Sequence, residues 1–386
     1  MPRLCHVFTV PDSLLFIRGQ TRFMQERGFD IHVITSPGSK LEKFGHDAGV
    51  RTYAVEMPRK ITPLSDLRAL WHLVRTIRKI KPDIVHSHTP KGGLLGMIAA
   101  TILRVPVRVY HIRGLPYMTA TGPKRLLMMA TEWVSCRLAH HVISVGHMIR
   151  EVAIEDRICP AEKVSTYHGG SGNGVDAKTR FNPSRFDVQS RRQLRHKLGI
   201  GTEDLVVGFV GRIFVEKGVE ELAAAWASIR ETYSSAHLVL VGEEQEADPI
   251  SRETMSRLKE DPRVHFSGAV DDTAAMYSIF DVMALPTYRE GVPNVLLEAA
   301  SMQVPVVATE IPGCVEAVKD GITGKLVPVK EVDALADAIA TYLDSGEMRE
   351  LHGKAGRERM LADFQQERIW ESIYNEYLRH LRVRGR

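Results

Sequence analysis

Short runs of hydrophobic residues alternate along this chain with longer segments in which hydrophobic residues recur every three or four positions. The short runs predict buried strands and the longer segments predict amphipathic helices. The predicted strands cover residues 4–10, 31–35, 83–86, 107–112, 141–145, 164–167, 237–242 and 282–285, and further strands start at residues 205 and 264. The predicted helices cover residues 14–27, 65–81, 126–139, 335–342, 348–363 and 366–381. This alternation predicts a doubly wound α/β fold.

Two of the predicted helices combine hydrophobic and basic residues, which leaves two interpretations open for each. In residues 65–81 the hydrophobic face comprises Leu67, Leu70, Trp71, Val74 and Ile77. Such a stripe suits a helix that covers a sheet or one that lies on a membrane, and packing against a sheet is favoured. Residues 126–129 are also hydrophobic and follow Lys124 and Arg125, which end an expected loop at 118–125. Burial of residues 126–129 is favoured over docking on an anionic membrane.

The chain has 386 residues, which is too long for one ordinary hydrophobic core and predicts two domains. A charged, irregular segment at residues 181–203 is expected to form a linker with a short helix between a first domain at 1–180 and a second at 204–365. The hydrophobic content of 44% and charged content of 25% are those of a soluble globular protein. The four cysteines are scattered and form no metal or redox pair, which favours the reducing cytoplasm.

The net charge of +4 conceals an uneven distribution, because residues 1–200 carry a net +16 and the remainder a net −12. A basic first half suits an anionic partner such as a lipid surface, a diphosphate-linked acceptor or nucleic acid. Alternatively, the basic half simply pairs with the acidic half. The sequence contains no nucleic-acid-binding motif and no basic–aromatic platform, so no nucleic-acid partner is expected.

The stretch at residues 286–327 carries the most specific pattern of candidate functional residues. It begins after a predicted strand with a loop that contains Glu290. Pro293 suits the first turn of the helix that follows, and free backbone amides at such a helix start attract anions, including diphosphate. Glu298 lies about two turns further along this helix, so the two carboxylates can contact different groups of one ligand.

Three further motifs follow these glutamates in order, Pro305-Val-Val-Ala, Pro312-Gly-Cys-Val-Glu and Asp320-Gly-Ile-Thr-Gly. The whole arrangement resembles the retaining glycosyltransferases of family 4. The resemblance implies the GT-B fold, in which two Rossmann-like, doubly wound α/β domains face each other across an interdomain cleft. It implies a nucleotide-sugar donor in the second domain, an acceptor in the first, and a C-terminal helix at residues 366–386 that packs back on the first domain. Glu290 would contact hydroxyl groups of the donor sugar, and Glu298 the nucleotide ribose.

The second α/β unit opens with Gly211-Arg212 and Lys217-Gly218, which resemble the family element whose arginine and lysine hold the donor diphosphate. Positive charge at this place would stabilise the departing nucleotide. The segment Ser171-Gly-Asn-Gly-Val-Asp and the loop after the strand at residue 264 resemble other donor-side segments of the family. The donor-binding residues that the resemblance implies are Gly211, Arg212, Lys217, Gly268, Val270, Glu290, Gly291, Val292, Pro293, Asn294, Glu298, Asn173 and Gly174.

Acceptor-side candidates lie in loops that follow predicted strands of the first domain, where open α/β sheets bind ligands. Ser13 and Gly19 belong to the first such loop, which the resemblance places at the cleft. His88 and Lys91 belong to the glycine-rich turn after residues 83–86. His88 either faces an anionic acceptor or is only a turn residue.

Arg113 stands directly before a glycine, where many family members have a histidine that approaches the transferring sugar. The nearest histidine is His111, which shares a face of the strand with Arg113 if the strand alternates. The arginine is able to bind a phosphate or a sugar carboxylate instead. Arg113-Gly-Leu-Pro, Thr121-Gly-Pro-Lys-Arg and Thr131-Glu resemble a bacterial branch that builds surface polysaccharide. The catalytic candidates are therefore Glu290, Arg212, Lys217, Arg113 and His111, and the acceptor-binding candidates are Ser13, Gly19, His88, Lys91 and Arg113.

The resemblance implies a retaining glycosyltransferase that moves a sugar from a nucleotide-sugar, with UDP favoured, to a glycan acceptor, with a polyprenyl-diphosphate-linked one favoured. The chain contains no Asp-x-Asp motif, so neither a metal ion nor another cofactor is expected, and basic residues and a helix dipole would replace the metal. A cytoplasmic location, peripheral at the inner face of the cytoplasmic membrane, is expected. A nucleotide-sugar epimerase of the same architecture and a non-catalytic sugar-nucleotide-binding protein are the alternatives.

Overall fold

A computed structural model of the protein describes residues 1–245 and 248–385, and its internal contacts divide the chain into two compact units. The first unit comprises Met1–Asn173 together with Gln366–Arg386, and the second comprises Gly174–Gln365. Within the described residues, no helix combines the length and the hydrophobicity needed to cross a membrane.

The expected linker at residues 181–203 belongs to the second unit and contains a helix, Val188–Lys197. Arg195 attaches this helix to the rest of the unit, because its Nη2 lies 3.3 Å from Asp281 Oδ2 and 3.0 Å from the carbonyl oxygen of Ile279. The charged segment therefore includes a cation that is paired within the second unit.

The first unit is built around a parallel sheet of seven strands. The strands are β1 (Arg3–Val7), β2 (Asp30–Thr35), β3 (Arg51–Ala54), β4 (Ile84–His88), β5 (Val107–Ile112), β6 (His141–Ser144) and β7 (Val164–Ser165). The helices are α1 (Gln20–Glu26), α2 (Ser39–Ala48), α3 (Pro63–Ile80), α4 (Pro90–Ile102), α5 (Gly122–Leu138), α6 (His147–Glu155) and a C-terminal helix (Gln366–Val383). The strand order is β3-β2-β1-β4-β5-β6-β7, and it reverses direction between β1 and β4.

The connection from β1 to α1 differs from the sequence prediction of a strand to residue 10 and one helix from residue 14. Strand β1 ends at Val7, and a 3-10 helix (Pro11–Ile17) precedes α1. A proline suits that start, since its fixed φ and missing amide proton fit the first turn of a helix. Gly19, with a φ of 78°, then changes the chain direction before α1 begins.

Helix α3 buries a face that shares Ile77 with the predicted one but is otherwise different. Its buried residues are Ala69, Leu73, Ile77 and Ile80. Leu67 and Trp71, which the sequence analysis assigns to the core, are 64% and 57% exposed. Both stripes have helical spacing, so periodicity alone does not decide which of them faces the sheet.

Helix α5 starts at Gly122, so Lys124 and Arg125 lie in its first turn and do not end a loop. Pro123, at the start of the helix, favours this earlier beginning. Leu126 and Leu127 are 67% and 47% exposed, so their predicted burial is wrong. Residues 128 and 129 are half-buried.

The second unit contains a parallel sheet of six strands. The strands are β8 (Leu205–Val210), β9 (Ala236–Val241), β10 (Val264–Gly268), β11 (Val282–Leu285), β12 (Val306–Thr309) and β13 (Gly324–Val327). The helices are α7 (Val188–Lys197), α8 (Val219–Thr232), α9 (Arg252–Glu260), α10 (Thr273–Tyr277), α11 (Asn294–Ser301), α12 (Pro312–Ala317), α13 (Val332–Asp344) and α14 (Gly346–Asp363). The strand order is β10-β9-β8-β11-β12-β13, and it reverses between β8 and β11. Pro293 caps α11 and so precedes its first turn.

The C-terminal helix belongs to the core of the first unit through one hydrophobic face. Its buried residues are Ile369, Trp370, Ile373, Tyr377 and Leu381, which follow helical spacing. They join a core cluster that includes residues of β1, β2, β4 and β5. A hydrogen bond of 2.5 Å between Tyr377 Oη and His86 Nδ1 connects the helix to β4.

A carboxyl group, that of Glu132 on α5, is buried against β5. The hydroxyl of Tyr110 donates a hydrogen bond to Glu132 Oε2 at 2.6 Å, while Oε1 has no partner in the part of the chain that the structure describes. Burial raises the pKa of Glu132 to about 7. The carboxyl proton of Glu132 is thus bound more tightly in the folded state than in the unfolded chain. The contribution of Glu132 to the free energy of unfolding is therefore greatest below its unfolded pKa and falls as the pH rises towards about 7.

We expect the substitution Glu132→Gln to stabilise the protein more at about pH 8 than at about pH 5, by a difference of about 2 kcal/mol, because glutamine buries no charge. Urea unfolding at the two pH values measures this difference. Glu151→Gln, at an exposed position on α6, is the control and should change little at either pH. An equal effect of E132Q at both values would contradict the raised pKa.

Candidate active site

The loops after β8 and β11 meet at the centre of the second sheet. These strands are neighbours, and the strand order reverses between them. The carboxyl ends of parallel strands share one edge, and such a reversal opens a crevice in which open α/β sheets bind ligands. The loop after β8 carries Arg212 and Lys217, and the loop after β11 carries Glu290.

Two contacts fix these loops to each other. Arg289 Nη2 lies 2.8 Å from Oε1 and 3.0 Å from Oε2 of Glu216, which makes a charge-assisted contact to both carboxylate oxygens. The backbone amide of Tyr288 donates to the carbonyl oxygen of Glu216 at 2.9 Å. Glu216 therefore connects the two loops that flank the crevice.

Lys217 and Glu290 form an ion pair between the same two loops. Their side chains are 17% and 15% exposed, so the pair is shielded from most solvent but remains accessible. The hydroxyl of Thr287 donates a further hydrogen bond to Glu290 Oε1 at 3.3 Å. The structure thus holds an oriented carboxylate and a cation side by side at the crevice.

Two glycines allow backbone segments to approach closely around this pair. A Cβ atom at Gly218, which has a φ of 71°, would lie 1.9 Å from the carbonyl oxygen of Pro286. A Cβ atom at Gly313 would lie 2.2 Å from the carbonyl oxygen of Gly291. A larger residue at either position would displace the loop that carries Glu290.

Arg212 is the exposed cation of the crevice. Its guanidinium carbon lies 4.9 Å from the ring centre of Phe214, and it donates a hydrogen bond to the side chain of Gln245. Gly268 ends β10 with a φ of 64°, and Val270 follows it, half-buried. Contacts of these residues with a nucleotide remain predictions.

Glu298 on α11 contacts the neighbouring helix α10. Tyr277 Oη donates to Glu298 Oε2 at 3.0 Å, and Thr273 Oγ1 donates to the same oxygen at 3.4 Å. The carboxylate therefore holds two helices together, whether or not it also binds a ribose. At the start of α11, Val292 and Pro293 are buried, whereas Gly291 and Asn294 are half-buried.

In the first unit, four histidines form a stacked, buried cluster on β1, β4 and β5. They are His6, His86, His88 and His111. His6 Nδ1 and His88 Nε2 lie 3.0 Å apart, and the rings of Phe8 and His88 stack at 4.2 Å. Burial, with the positive charge of Arg113, lowers the pKa of each histidine well below its usual value. The rings are therefore neutral at physiological pH.

Arg113 lies at the carboxyl end of β5 on top of this cluster. Its Nη2 donates to His88 Nδ1 at 3.2 Å, and its guanidinium carbon lies 4.9 Å from the ring centre of Phe16. Burial lowers the pKa of Arg113 to about 9, so the side chain remains charged at neutral pH. Among the described residues, its hydrogen bonds go to no carboxylate. The guanidinium of Arg113 therefore suits an anionic ligand.

Of the other acceptor candidates, His88 contacts Arg113, whereas Lys91, Gly19 and Ser13 have other neighbours. His88 is fully buried and supports the guanidinium from below. Lys91 pairs with Asp66 on α3 at 2.7 Å. A Cβ atom at Gly19 would lie 2.6 Å from the ring of Trp370, and Ser13 is buried in the 3-10 helix.

Asn173 and Gly174, two predicted donor-side residues, lie on either side of the boundary between the units. Asn173 Oδ1 accepts a hydrogen bond from Trp370 Nε1 at 2.7 Å, and its Nδ2 donates to the carbonyl oxygen of Arg18 at 3.1 Å. These bonds tie the C-terminal helix to the first loop. Gly174 has a φ of 68°, which favours glycine there.

Two groups of side chains in the described part of the chain place metal-ligating atoms within 4.8 Å of one another. They are His6–His86–His88 and His141–Glu376–His380. Both lie in the first unit. In the first group the guanidinium of Arg113 contacts His88, and a second cation there would be repelled.

Glu216, Thr287 and Phe16 are residues of these sites that the sequence analysis does not assign. Glu216 lies directly before Lys217 within the recognised motif, so its position in the sequence is a usable signal. The partner of Glu216 is 73 residues away, at Arg289, and no local pattern indicates such a contact. Phe16 carries no signal beyond being a hydrophobic residue.

Two family models together match most of the chain. The glycosyl transferase 4-like domain matches residues 16–170, and glycosyl transferases group 1 matches residues 190–359. The capsular polysaccharide biosynthesis glycosyltransferase CapM of Staphylococcus aureus is 30% identical over 380 residues, which are 98% of each chain. The class of the protein is therefore that of a glycosyltransferase. Within that class, the chain belongs to the group 1 glycosyl transferases.

Two further relatives extend this comparison. The UDP-Gal:alpha-D-GlcNAc-diphosphoundecaprenol alpha-1,3-galactosyltransferase of Escherichia coli is 26% identical over 320 residues, or 82% of this chain and 80% of that protein. The structure of Anabaena Alr3699/HepE in complex with UDP-glucose matches with a TM-score of 0.81 at 21% identity, covering 97% of this chain and 99% of that one. This likeness confirms the predicted fold class of two Rossmann-like domains.

We expect Gly313→Ala to lower the rate of sugar transfer by roughly 10²-fold, because the added methyl group displaces Gly291 and with it the carboxylate of Glu290. Steady-state kinetics on the purified variant measures the loss, and thermal unfolding establishes that the variant is folded. Gly346→Ala is the matched control, since the nearest atom to its added Cβ lies at 3.5 Å. A folded G313A protein with unchanged kinetics would show that Glu290 needs no fixed position.

Proposed function

We propose that this protein is a retaining glycosyltransferase that moves a sugar from a UDP-sugar to a polyprenyl-diphosphate-linked glycan during the synthesis of a cell-surface polysaccharide. The observation that carries this proposal is the Lys217–Glu290 pair at the reversal point of the second sheet. A cation and an oriented carboxylate match the two ends of a nucleotide-sugar, a diphosphate and a sugar with hydroxyl groups.

Arg212 and Lys217 hold the donor diphosphate in this proposal. Their positive charge stabilises the negative charge that develops on the departing nucleotide. The carboxylate of Glu290 accepts hydrogen bonds from hydroxyl groups of the sugar, and that of Glu298 from the ribose. UDP is the proposed nucleotide because the Escherichia coli relative is named for UDP-Gal and the Anabaena structure holds UDP-glucose.

The proposed transfer takes place on one face of the sugar. The bond between the anomeric carbon and the phosphate oxygen breaks, and the acceptor oxygen forms its bond on the same face. The proton of the acceptor hydroxyl passes to the leaving phosphate, so no enzyme nucleophile is needed. Glu290 has a binding role in this step, because its carboxylate accepts hydrogen bonds from the sugar hydroxyl groups. Isolation of a covalent glycosyl-enzyme would contradict this step.

Arg113 binds the anionic part of the acceptor in this proposal. Its guanidinium carries a charge that no carboxylate among the described residues neutralises, which suits a phosphate group. The Escherichia coli relative is named for an acceptor linked to diphosphoundecaprenol. An acceptor of this kind is anchored in lipid, so the proposal includes a cytoplasmic protein at the inner face of the cytoplasmic membrane.

Purified protein should transfer label from one member of a panel of UDP-sugars and GDP-sugars into a bacterial polyprenyl-linked lipid fraction. Partition between aqueous and organic phases measures the transfer and identifies the donor. Label that stays aqueous with every donor would overturn the lipid-linked acceptor. Analysis of those aqueous products would then distinguish a soluble acceptor from epimerisation or from binding without catalysis.

The matched variants in this assay are Glu290→Gln and Glu310→Gln. Loss of the oriented carboxylate in E290Q should lower transfer by roughly 10²–10³-fold, whereas E310Q changes an exposed glutamate after β12 and should not. Equal activity of the two variants would remove Glu290 from the proposed mechanism.

We expect EDTA to leave the transfer rate largely unchanged, because Arg212 and Lys217 supply the positive charge that a divalent cation supplies in metal-dependent enzymes. The rate is measured with and without chelator, and again after manganese is added back. A loss of activity in EDTA that manganese restores would refute this prediction.

A further inference from the structure

Helices α3, α4 and α5 cover the same side of the first sheet, where α3 and α5 each contact α4. The solvent-facing sides of α3 and α5 expose large hydrophobic residues that do not contribute to the core. The exposed residues are Leu64, Leu67 and Trp71 on α3, and Leu126, Leu127 and Trp133 on α5. We call these six side chains and the basic residues beside them the α3/α5 surface.

The exposed residues form ordered stripes on both helices. On α3, residues 64, 67, 71, 75 and 78 recur at helical spacing, about half a turn around the helix from the buried stripe. The stripe ends in two arginines, and the guanidinium carbon of Arg75 lies 5.6 Å from the ring centre of Trp71. On α5, residues 126, 130, 133 and 137 are exposed at the same kind of spacing. Helices that lie in a membrane interface combine tryptophan and leucine with basic residues in this way.

The net charge of the region around α3 and α5 indicates which kind of partner this surface suits. Residues 51–150 contain 16 lysines and arginines but only four aspartates and glutamates. The acidic residues of the two helices are not available to a partner, because Asp66 pairs with Lys91 and Glu132 is buried. The exposed charges on α3 and α5 are Arg68, Arg75, Arg78, Lys79, Lys124 and Arg137. Such a surface complements a negatively charged one.

The exposed leucines of this surface lie at the same edge of the sheet as Arg113, the proposed acceptor-binding residue. Each helix follows a strand, so α3 and α5 begin at the carboxyl edge of the sheet. Leu64, Leu67, Leu126 and Leu127 all lie within the first turns of these helices. They therefore occupy the same edge as Arg113, which follows β5.

We propose that the α3/α5 surface docks this protein on a lipid bilayer with anionic headgroups, with Trp71 and Trp133 at the interface between hydrocarbon and water. The inference rests on the proposed function only in explaining why docking is useful, since a polyprenyl-linked acceptor lies in the same bilayer. Vesicle binding is measured without donor or acceptor. Docking and sugar transfer can therefore fail independently.

The tryptophans provide a direct readout of this docking. Trp71 and Trp133 are exposed, while the other two tryptophans, Trp226 and Trp370, are buried. The protein should co-sediment with phosphatidylglycerol vesicles. Its tryptophan emission should then shift to shorter wavelength. Vesicles of phosphatidylcholine alone should do neither, and added salt should weaken the binding. Equal binding to both kinds of vesicle, or no binding to either, would overturn the proposal.

Matched variants locate the surface. Leu67→Ser/Trp71→Ser should weaken vesicle binding at least tenfold, whereas Leu351→Ser/Ile322→Ser, at exposed positions of the second unit, should not. Arg68→Gln/Arg78→Gln should weaken binding to anionic vesicles, whereas Arg192→Gln/Lys197→Gln, on the exposed side of α7, should not. Transfer to a detergent-dispersed acceptor should be the same in all four variants. Equal vesicle binding by surface and control variants would place the docking elsewhere.

Self-association would be a competing use of the same hydrophobic residues. Sedimentation velocity in the absence of lipid distinguishes self-association from membrane docking, because docking does not require two copies to associate through this surface. A concentration-dependent dimer that Leu67→Ser/Trp71→Ser abolishes would overturn membrane docking and assign this surface to a second copy of the chain.

Discussion

Every strand in the two sheets pairs in parallel with its neighbours, and this pairing constrains the rest of each unit. A parallel partner cannot follow through a tight turn, so a crossover of a dozen or more residues must return the chain to the starting edge. The loops that leave the strands then collect at the carboxyl edge. Residues far apart in sequence, such as Lys217 and Glu290, meet there because strand order brings their loops together.

The features that the sequence predicts well are those that depend on local pattern. Strands β5 and β11 have the predicted bounds, because a short run of buried hydrophobic residues has a sharp start and end. The candidate carboxylate and cations of the second unit also carry a sequence signal, since motif residues stand at fixed spacing. Glu290 and Lys217 do occur in contact.

The features that the sequence does not predict depend on three-dimensional context. Helix α3 has two stripes of helical spacing, and only its neighbours decide that Ala69 and Leu73 are buried while Leu67 and Trp71 are exposed. The contact between Glu216 and Arg289 spans two loops, so neither residue alone indicates it. Turn chemistry explains the early end of β1, where a proline begins a 3-10 helix.

Arg113, at a position where the family resemblance predicts a histidine, determines the charge at this edge of the first sheet. The histidines that remain nearby are buried and neutral, so they support the guanidinium without adding charge of their own. A neutral ring acts as an acceptor for the arginine N–H, which fixes its direction. Positive charge at this edge therefore stays on Arg113 over the physiological pH range, where a histidine at the same position would titrate.

In the proposed function, the Lys217–Glu290 pair connects donor binding with the orientation of the sugar. Without a ligand, each group neutralises the other, which avoids leaving a partly buried charge unpaired. In the proposed complex the diphosphate competes with Glu290 for the lysine, because it brings more negative charge to the same place. A carboxylate that loses this partner has oxygens available for sugar hydroxyl groups, while Thr287 still holds its direction. In this proposal, binding of the phosphate end prepares the site that binds the sugar end.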